Sequence, residues 1–291
     1  MEHKNKIGLI GCGLMGHGIA KNLIKAGQDL TILDHPGNQP CDDLIEAGAT
    51  FSPEMSEIVS NKDAVFLVLP GSPEVEAVVT APDGFLSLLS PDTLVIDATT
   101  AQPEETLVIA GLIQGKGAHY VDAPMTRTPK EAEEGRLNVL LGGSKEDVAH
   151  ATPYIDAYAE NIYHGGPVSA GHRLKLLHNF VSIGQAVVIA EAVAAADRGG
   201  VELDVLTEVL ATGGAGGVAL ERLRPFIEDG DSSAFRFALK NASKDLDYYT
   251  DMATSLDAQS NTAKAVSYVL KKAIERQPDA VMPELIRIFK D

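Results

Sequence analysis

Cations are in short supply in this chain. It carries 24 Lys and Arg against 41 Asp and Glu, a formal charge of −17 over 291 residues. Without a surplus of Lys or Arg to neutralise phosphates, a nucleic-acid partner is not expected. Cysteine is almost missing: Cys12 and Cys41 are the only two. That excludes a disulfide framework, and neither has the spacing of a metal site. The remaining His, Cys, Asp and Glu form no cluster that suggests a metal. The longest apolar stretches are broken by Gly, Pro or charge, so no membrane span is expected. The first apolar strand begins at Ile7 and leaves no room for a signal peptide ahead of it, which makes the cytoplasm the expected location. There is no low-complexity tract and no convincing internal repeat.

The chain is 45% hydrophobic and 22% charged, enough for one large domain or two medium ones. From residue 7 to about 165, short apolar runs alternate with helical patterns. "KIGLIG" reads as a strand and Met15 to Ala26 as a helix ended by Gly27. "LTILD", "AVFLVLP", "TLVIDATT", "HYVDAP" and "LNVLLGG" read as later strands, with helices led by Pro73-Glu74 and Pro103-Glu104. This order predicts an α/β fold with a doubly wound, mainly parallel sheet. After residue 166 the strands stop, and Val168 to Arg198 is long, Ala-rich and helical. The boundary is placed near "YHGGPVSAG", giving domains 1–165 and 166–291, the second all-α.

Gly11, Gly13 and Gly16 form G-x-G-x-x-G between the first strand and the first helix. That context suits a dinucleotide: the glycines permit a tight turn and close backbone approach to a pyrophosphate at the helix N-terminus. Asp34 ends the second strand about twenty residues on, as a contact to a ribose 2′-hydroxyl requires. Its carboxylate would repel a 2′-phosphate, and His35, Pro36 and Gly37 follow it rather than an Arg, so NAD is expected over NADP. Leu69-Pro70 and Thr99-Thr100 fall at strand C-termini, where such sheets bind ligands. In "SAGHRLKLLHNFVSIGQ", Lys175, His178, Asn179, Ser182 and Gln185 recur at spacings of three and four, a polar stripe on an otherwise apolar helix.

Taken together, these segments resemble the β-hydroxyacid dehydrogenase family, related to 3-hydroxyisobutyrate dehydrogenase and tartronate semialdehyde reductase. The resemblance covers nearly the whole chain. It rests on "GLIGCGLMGHGIAKNLIKAG", "LVLPGSPEV", "VIDATTAQP", "VDAPMTRTP", "SAGHRLKLLHNF" and "FALKNASKDLDYYTDMA", six motifs in order. It implies a Rossmann domain joined by a long helix to a helical domain, an active site in the cleft between them, and a homodimer or homotetramer. Lys175 would be catalytic, with Asn179 in support. Leu14, Met15, Asp34, Leu69, Pro70, Thr100 and Lys244 would contact NAD, and the family needs no metal.

A positioned lysine can deliver the proton that a carbonyl oxygen needs after hydride arrives, and take it back in the oxidative direction. Two departures from the family bear on substrate. His178 stands where Asn is usual, and reads either as a substrate contact or as a hydrogen-bonding core histidine. Thr126-Arg127-Thr128 replaces Ser-Gly-Gly in the substrate loop. Arg127 reads as an anion clamp for carboxylate or sulfonate, or else as a structural partner of Glu131 or Glu134. The Arg-Thr pair and Ser182 are similar to the sulfolactaldehyde reductase branch. The expected substrate is therefore a small anionic semialdehyde, 3-sulfolactaldehyde or succinic semialdehyde, with 3-hydroxyisobutyrate or tartronate semialdehyde as the alternative. Lys240 is a second cation near this segment or a solvated side chain. A non-catalytic NAD-binding protein is the remaining alternative, and the presence of Lys175 and Asn179 speaks against it. The "TGGAGGVALERL" segment offers only backbone contacts.

Overall fold

The computed structural model describes residues 4–82 and 84–290. The first half builds a nine-stranded sheet: β1 Lys6–Ile10, β2 Asp29–Leu33, β3 Thr50–Ser52, β4 Ala64–Leu67, β5 Leu94–Asp97, β6 His119–Asp122, β7 Met125–Thr126, β8 Leu137–Gly142 and β9 Ala159–Gly166. The first six run parallel in the order β3-β2-β1-β4-β5-β6, which is the doubly wound dinucleotide arrangement. β8 then pairs antiparallel with β6 and β7 and parallel with β9. The central strands are buried on both faces, as continuous apolar runs such as Ala64–Leu67 require. One face packs Ile7, Leu9, Ile19, Leu23 and Phe66, the other Ile10, Val65, Leu67, Val95 and Tyr120.

The chain divides into two compact units, Met1–Lys175 and Leu176–Asp291. The second is helical, with its core formed by residues such as Val187, Val193, Leu223, Leu246 and Leu270. The long helix is Ala170–Arg198. It starts two residues later than the periodicity predicts, because Ser169 takes a left-handed backbone (φ 77°) that cannot continue a helix backwards. The expectation that no apolar stretch reaches span length is corrected: this helix is long and apolar enough, by composition, to cross a membrane. Its buried face, including Ile183, Ala186, Ala190 and Val193, packs into the helical core. Length and composition alone do not distinguish such a core helix from a span. Three strands went unread in the sequence: β3 and β7 are shorter than a period-two pattern can reveal, and β9 is mostly polar.

Candidate active site

The glycine loop shows a separate physical demand at each glycine. Gly11 has φ 99°, and a Cβ there would lie 2.2 Å from the Val68 carbonyl oxygen. A Cβ on Gly16 would meet the Gly11 carbonyl oxygen at 2.0 Å, so helix and strand pack too closely for a side chain. Gly13 faces open space. It is also the N-cap of the helix Leu14–Lys25 and supplies no side-chain cap, which leaves the first-turn amides and the positive helix end available to an anion. Leu14 is exposed and Met15 half-buried beside this opening. Asp34 sits exposed just past β2, and its carboxylate makes no hydrogen bond or ion pair with the described residues. Thr99 is buried and accepts a hydrogen bond from the Leu69 amide at 3.1 Å, which joins the loops after β4 and β5. Pro70 is exposed and Thr100 half-buried on those loops. These residues fit a dinucleotide: Gly11, Gly13, Leu14 and Gly16 at the pyrophosphate, Asp34 at the ribose.

Two features beside the loop were not read from the sequence. The free thiols of Cys12 and Cys41 lie 3.5 Å apart. His17 stands between two carboxylates, its Nδ1 2.7 Å from Glu133 and its Nε2 3.0 Å from Asp43, while Lys21 also donates to Glu133. Burial opposes charge on the His17 ring, but the hydrogen bonds to Glu133 and Asp43 outweigh it and raise the pKa. The cluster ties the cofactor helix to the helix Pro129–Glu133 that follows the substrate loop.

Lys175 is half-buried, and its Nζ donates to the Met125 carbonyl oxygen at 2.7 Å. Met125 lies in β7, the residue pair directly ahead of Arg127, so the ammonium is fixed to the strand that carries the substrate loop. Asp122 aims the start of the helix. Fully buried, its two carboxylate oxygens accept from the amides of Ser169 (2.7 Å) and His172 (2.8 Å), capping the helix that bears Lys175. Gly142 and Gly171 make room for that carboxylate; a Cβ on Gly142 would sit 2.4 Å from its Oδ1. No role for Asp122 follows from the sequence alone; its place beside the helix start depends on folding. His172 is buried with Nδ1 2.7 Å from Thr106, and the His164 ring bonds the carbonyls of Gly143 and Gly166, so both rings are engaged in holding the fold.

In the substrate loop, Thr126 is buried and accepts from Asn138 at 3.2 Å. Thr128 is the N-cap of the following helix, and the Glu131 carboxylate accepts from both its amide, at 3.0 Å, and its hydroxyl. Arg127 has φ 84°, a conformation that accounts for glycine at this place in the family pattern. Its guanidinium pairs with Glu160 and with the Arg136 carbonyl, a partner set that differs from the Glu131 or Glu134 expected for a structural arginine.

In the helical unit, Asn179 is buried and donates to Asp245 at 2.6 Å. Asp245 is itself buried and pairs with Lys244 at 3.2 Å, and Lys244 lies over the Tyr248 ring. Asp245 lies within "FALKNASKDLDYYTDMA", and no role for it follows from the sequence alone. His178 is exposed, with Nδ1 3.0 Å from the Asn179 side chain, so the core-histidine reading is corrected. Ser182 is half-buried and bonds back to the Asn179 carbonyl at 3.4 Å. Lys240 is exposed and pairs with Asp279, the solvated reading. Among the described residues, no group of three or more His, Cys, Asp and Glu could hold a metal ion.

A parallel sheet in this order, with a bare helix N-terminus at a glycine loop and an acid past the second strand, marks a dinucleotide-binding domain. The comparisons agree. The family described as the NAD binding domain of 6-phosphogluconate dehydrogenase matches residues 6–166. The one described as NAD-binding of NADP-dependent 3-hydroxyisobutyrate dehydrogenase matches residues 169–288. The chain is 30% identical to 2-(hydroxymethyl)glutarate dehydrogenase of Eubacterium barkeri over 84% of its length and 81% of the relative's. It is 33% identical to 3-sulfolactaldehyde reductase of Escherichia coli K12 over 86% and 84%. In fold it is similar to Mycobacterium tuberculosis 3-hydroxyisobutyrate dehydrogenase solved with L-serine, with a TM-score of 0.88 at 24% identity, covering 99% of this chain and 100% of that one. The chain belongs to the β-hydroxyacid dehydrogenase family and is an NAD-dependent hydroxyacid dehydrogenase.

Proposed function

We propose that the enzyme interconverts a small anionic 3-hydroxy acid (or, for the succinate compound, the 4-hydroxy acid), or hydroxy sulfonate, and its semialdehyde, with Lys175 as general acid and base and Arg127 as the cation that receives the substrate anion. NAD, when bound, takes or supplies the hydride. Lys175 supplies the proton to the carbonyl oxygen in reduction and accepts the alcohol proton in oxidation. The observation that carries this reading is the Lys175 Nζ bond to Met125, two residues ahead of Arg127. A proton donor and an anion-binding group anchored on one short segment suit a substrate of three or four carbons.

Asn179, one turn beyond Lys175 on the same helix, supports the lysine or the reacting oxygen, and its bond to buried Asp245 fixes its amide. Thr126, Thr128, His178 and Ser182 complete the substrate contacts, and Leu69, Pro70, Thr100 and Lys244 those to NAD. Subunits are proposed to form a homodimer or homotetramer in the cytoplasm. 3-Sulfolactaldehyde and succinic semialdehyde are the preferred candidates. The pairing of Arg127 with Glu160 favours a second reading, in which the guanidinium is structural and the substrate is of the 3-hydroxyisobutyrate or tartronate semialdehyde type. Rates of NADH oxidation with these four aldehydes, for wild type and Arg127→Gly, separate the two. The first reading predicts that a preference for the sulfonate or succinate compound collapses in the variant. An indifferent variant that favours the short carboxylates refutes it.

A further inference from the structure

Arg127 occupies a left-handed backbone conformation (φ 84°) that disfavours any side chain. What the side chain does there is specific. Both of its hydrogen bonds, to the Glu160 carboxylate and to the Arg136 carbonyl, are made by Nη1. Nε and Nη2, which form the side-on edge of the guanidinium, have no hydrogen-bond partner among the described residues. That edge is a planar two-donor fork, the geometry that meets two oxygens of a carboxylate or sulfonate at once. The side chain is 23% exposed, so an anion can reach it.

Glu160 is in β9, where Leu137 and Ala159 are paired across β8 and β9, and Arg136 immediately precedes β8. The two contacts to Nη1 therefore come from adjacent strand ends of one sheet. Glu160 is held as a carboxylate: the hydrogen bond from Arg127 lowers its pKa, with the nearby charges of Arg127 and Arg136 acting in the same direction. Arg136 stands 3.7 Å from the same Glu160 oxygen and pairs with Glu134 at 3.2 Å. Two cations thus face two carboxylates.

We infer that Glu160 is a positioning residue for substrate specificity: it holds Arg127 by Nη1 so that the Nε–Nη2 edge stays presented to a two- or three-oxygen anion. The inference rests on the proposal that Arg127 receives the substrate anion. It also opposes the simplest electrostatic expectation. Removing a carboxylate from a balanced cluster leaves one net positive charge, which by field alone strengthens anion binding. Loss of positioning weakens it.

The test is steady-state kinetics with NADH on an anionic semialdehyde and on a neutral aldehyde of equal chain length, using wild type, Glu160→Ala, Glu160→Gln, Arg127→Gly and the Arg127→Gly/Glu160→Ala double variant. Circular dichroism checks that each is folded; Glu160 is 41% exposed, so its replacement leaves the core untouched. We expect Glu160→Ala to raise KM for the anionic substrate about 10-fold with kcat within about 2-fold, consistent with loss of one charge-assisted hydrogen bond, and to leave the neutral substrate unchanged. Glu160→Gln keeps an acceptor oxygen for Nη1 and recovers most of the loss, and the double variant is no worse than Arg127→Gly. A KM that is unchanged or lower in Glu160→Ala, with Arg127→Gly still losing its anion preference, overturns the role of Glu160 alone. An Arg127→Gly enzyme that keeps its anion preference overturns the clamp reading and this inference with it.

Discussion

At Lys175 the chemistry reduces to where one ammonium group is held. Its stem leaves the helix half-buried and its head donates to the Met125 carbonyl oxygen. Replacing it by Ala is predicted to cut kcat by about 10²–10⁴, the usual share of a positioned acid, while NADH titration by fluorescence shows binding largely intact. A variant with full activity removes Lys175 from the mechanism. Asp34 makes a second prediction at this scale: Asp34→Ala is expected to lose roughly 10-fold of the NAD-over-NADP preference, about one charge-assisted hydrogen bond. An unchanged ratio of kcat/KM for the two cofactors denies it the ribose contact. The lysine and the acid were legible because each sits at a fixed spacing from a motif. Asp122 and Asp245 were not, because an isolated buried carboxylate has no local signature; its meaning lies in amides and side chains 47 and 66 residues away.

Among elements, the long helix depends most on one side chain. Asp122 satisfies two N-terminal amides of that helix from β6, replacing the local cap that Ser169, in its left-handed conformation, does not supply. Asp122→Ala is predicted to lower stability by about 2–4 kcal/mol, counting two buried charge-assisted bonds less partial rescue by water. Urea unfolding followed by circular dichroism measures it; a loss below about 0.5 kcal/mol would mean that the helix start is held by other contacts. The same carboxylate shows why boundaries were harder to read than elements. Periodicity continues through Val168 and Ser169, whereas the helix starts at Ala170, after a left-handed Ser169 whose amide donates to Asp122 on β6. β9 escaped for a related reason: alternating apolar residues mark a strand with one buried face, and "AENIYHGG" has little apolar content to alternate.

Over the whole molecule, the acidic composition, 24 Lys and Arg against 41 Asp and Glu, leaves few cations to spare. The His17–Glu133–Asp43 cluster makes part of the stability depend on pH. A His with its pKa raised in the fold stabilises fully below the ordinary value of 6.5, and that contribution is lost as pH rises through the folded value. Glu133 and Asp43 have lowered values, so their share holds above the ordinary 4.5 and 3.8 and is lost in acid. The melting-temperature difference between wild type and His17→Gln should therefore be largest between about pH 4.5 and 6.5 and shrink on either side. A difference independent of pH would show that the ring acts by packing alone. Wild-type enzyme alone can show whether the substrate is an anion. NADH oxidation is followed with a small anionic semialdehyde and with the neutral aldehyde of the same length. A kcat/KM at least about 10-fold higher is predicted for the anion, the contribution of one charge-assisted contact; equal rates, or faster turnover of the neutral aldehyde, would contradict an anionic substrate.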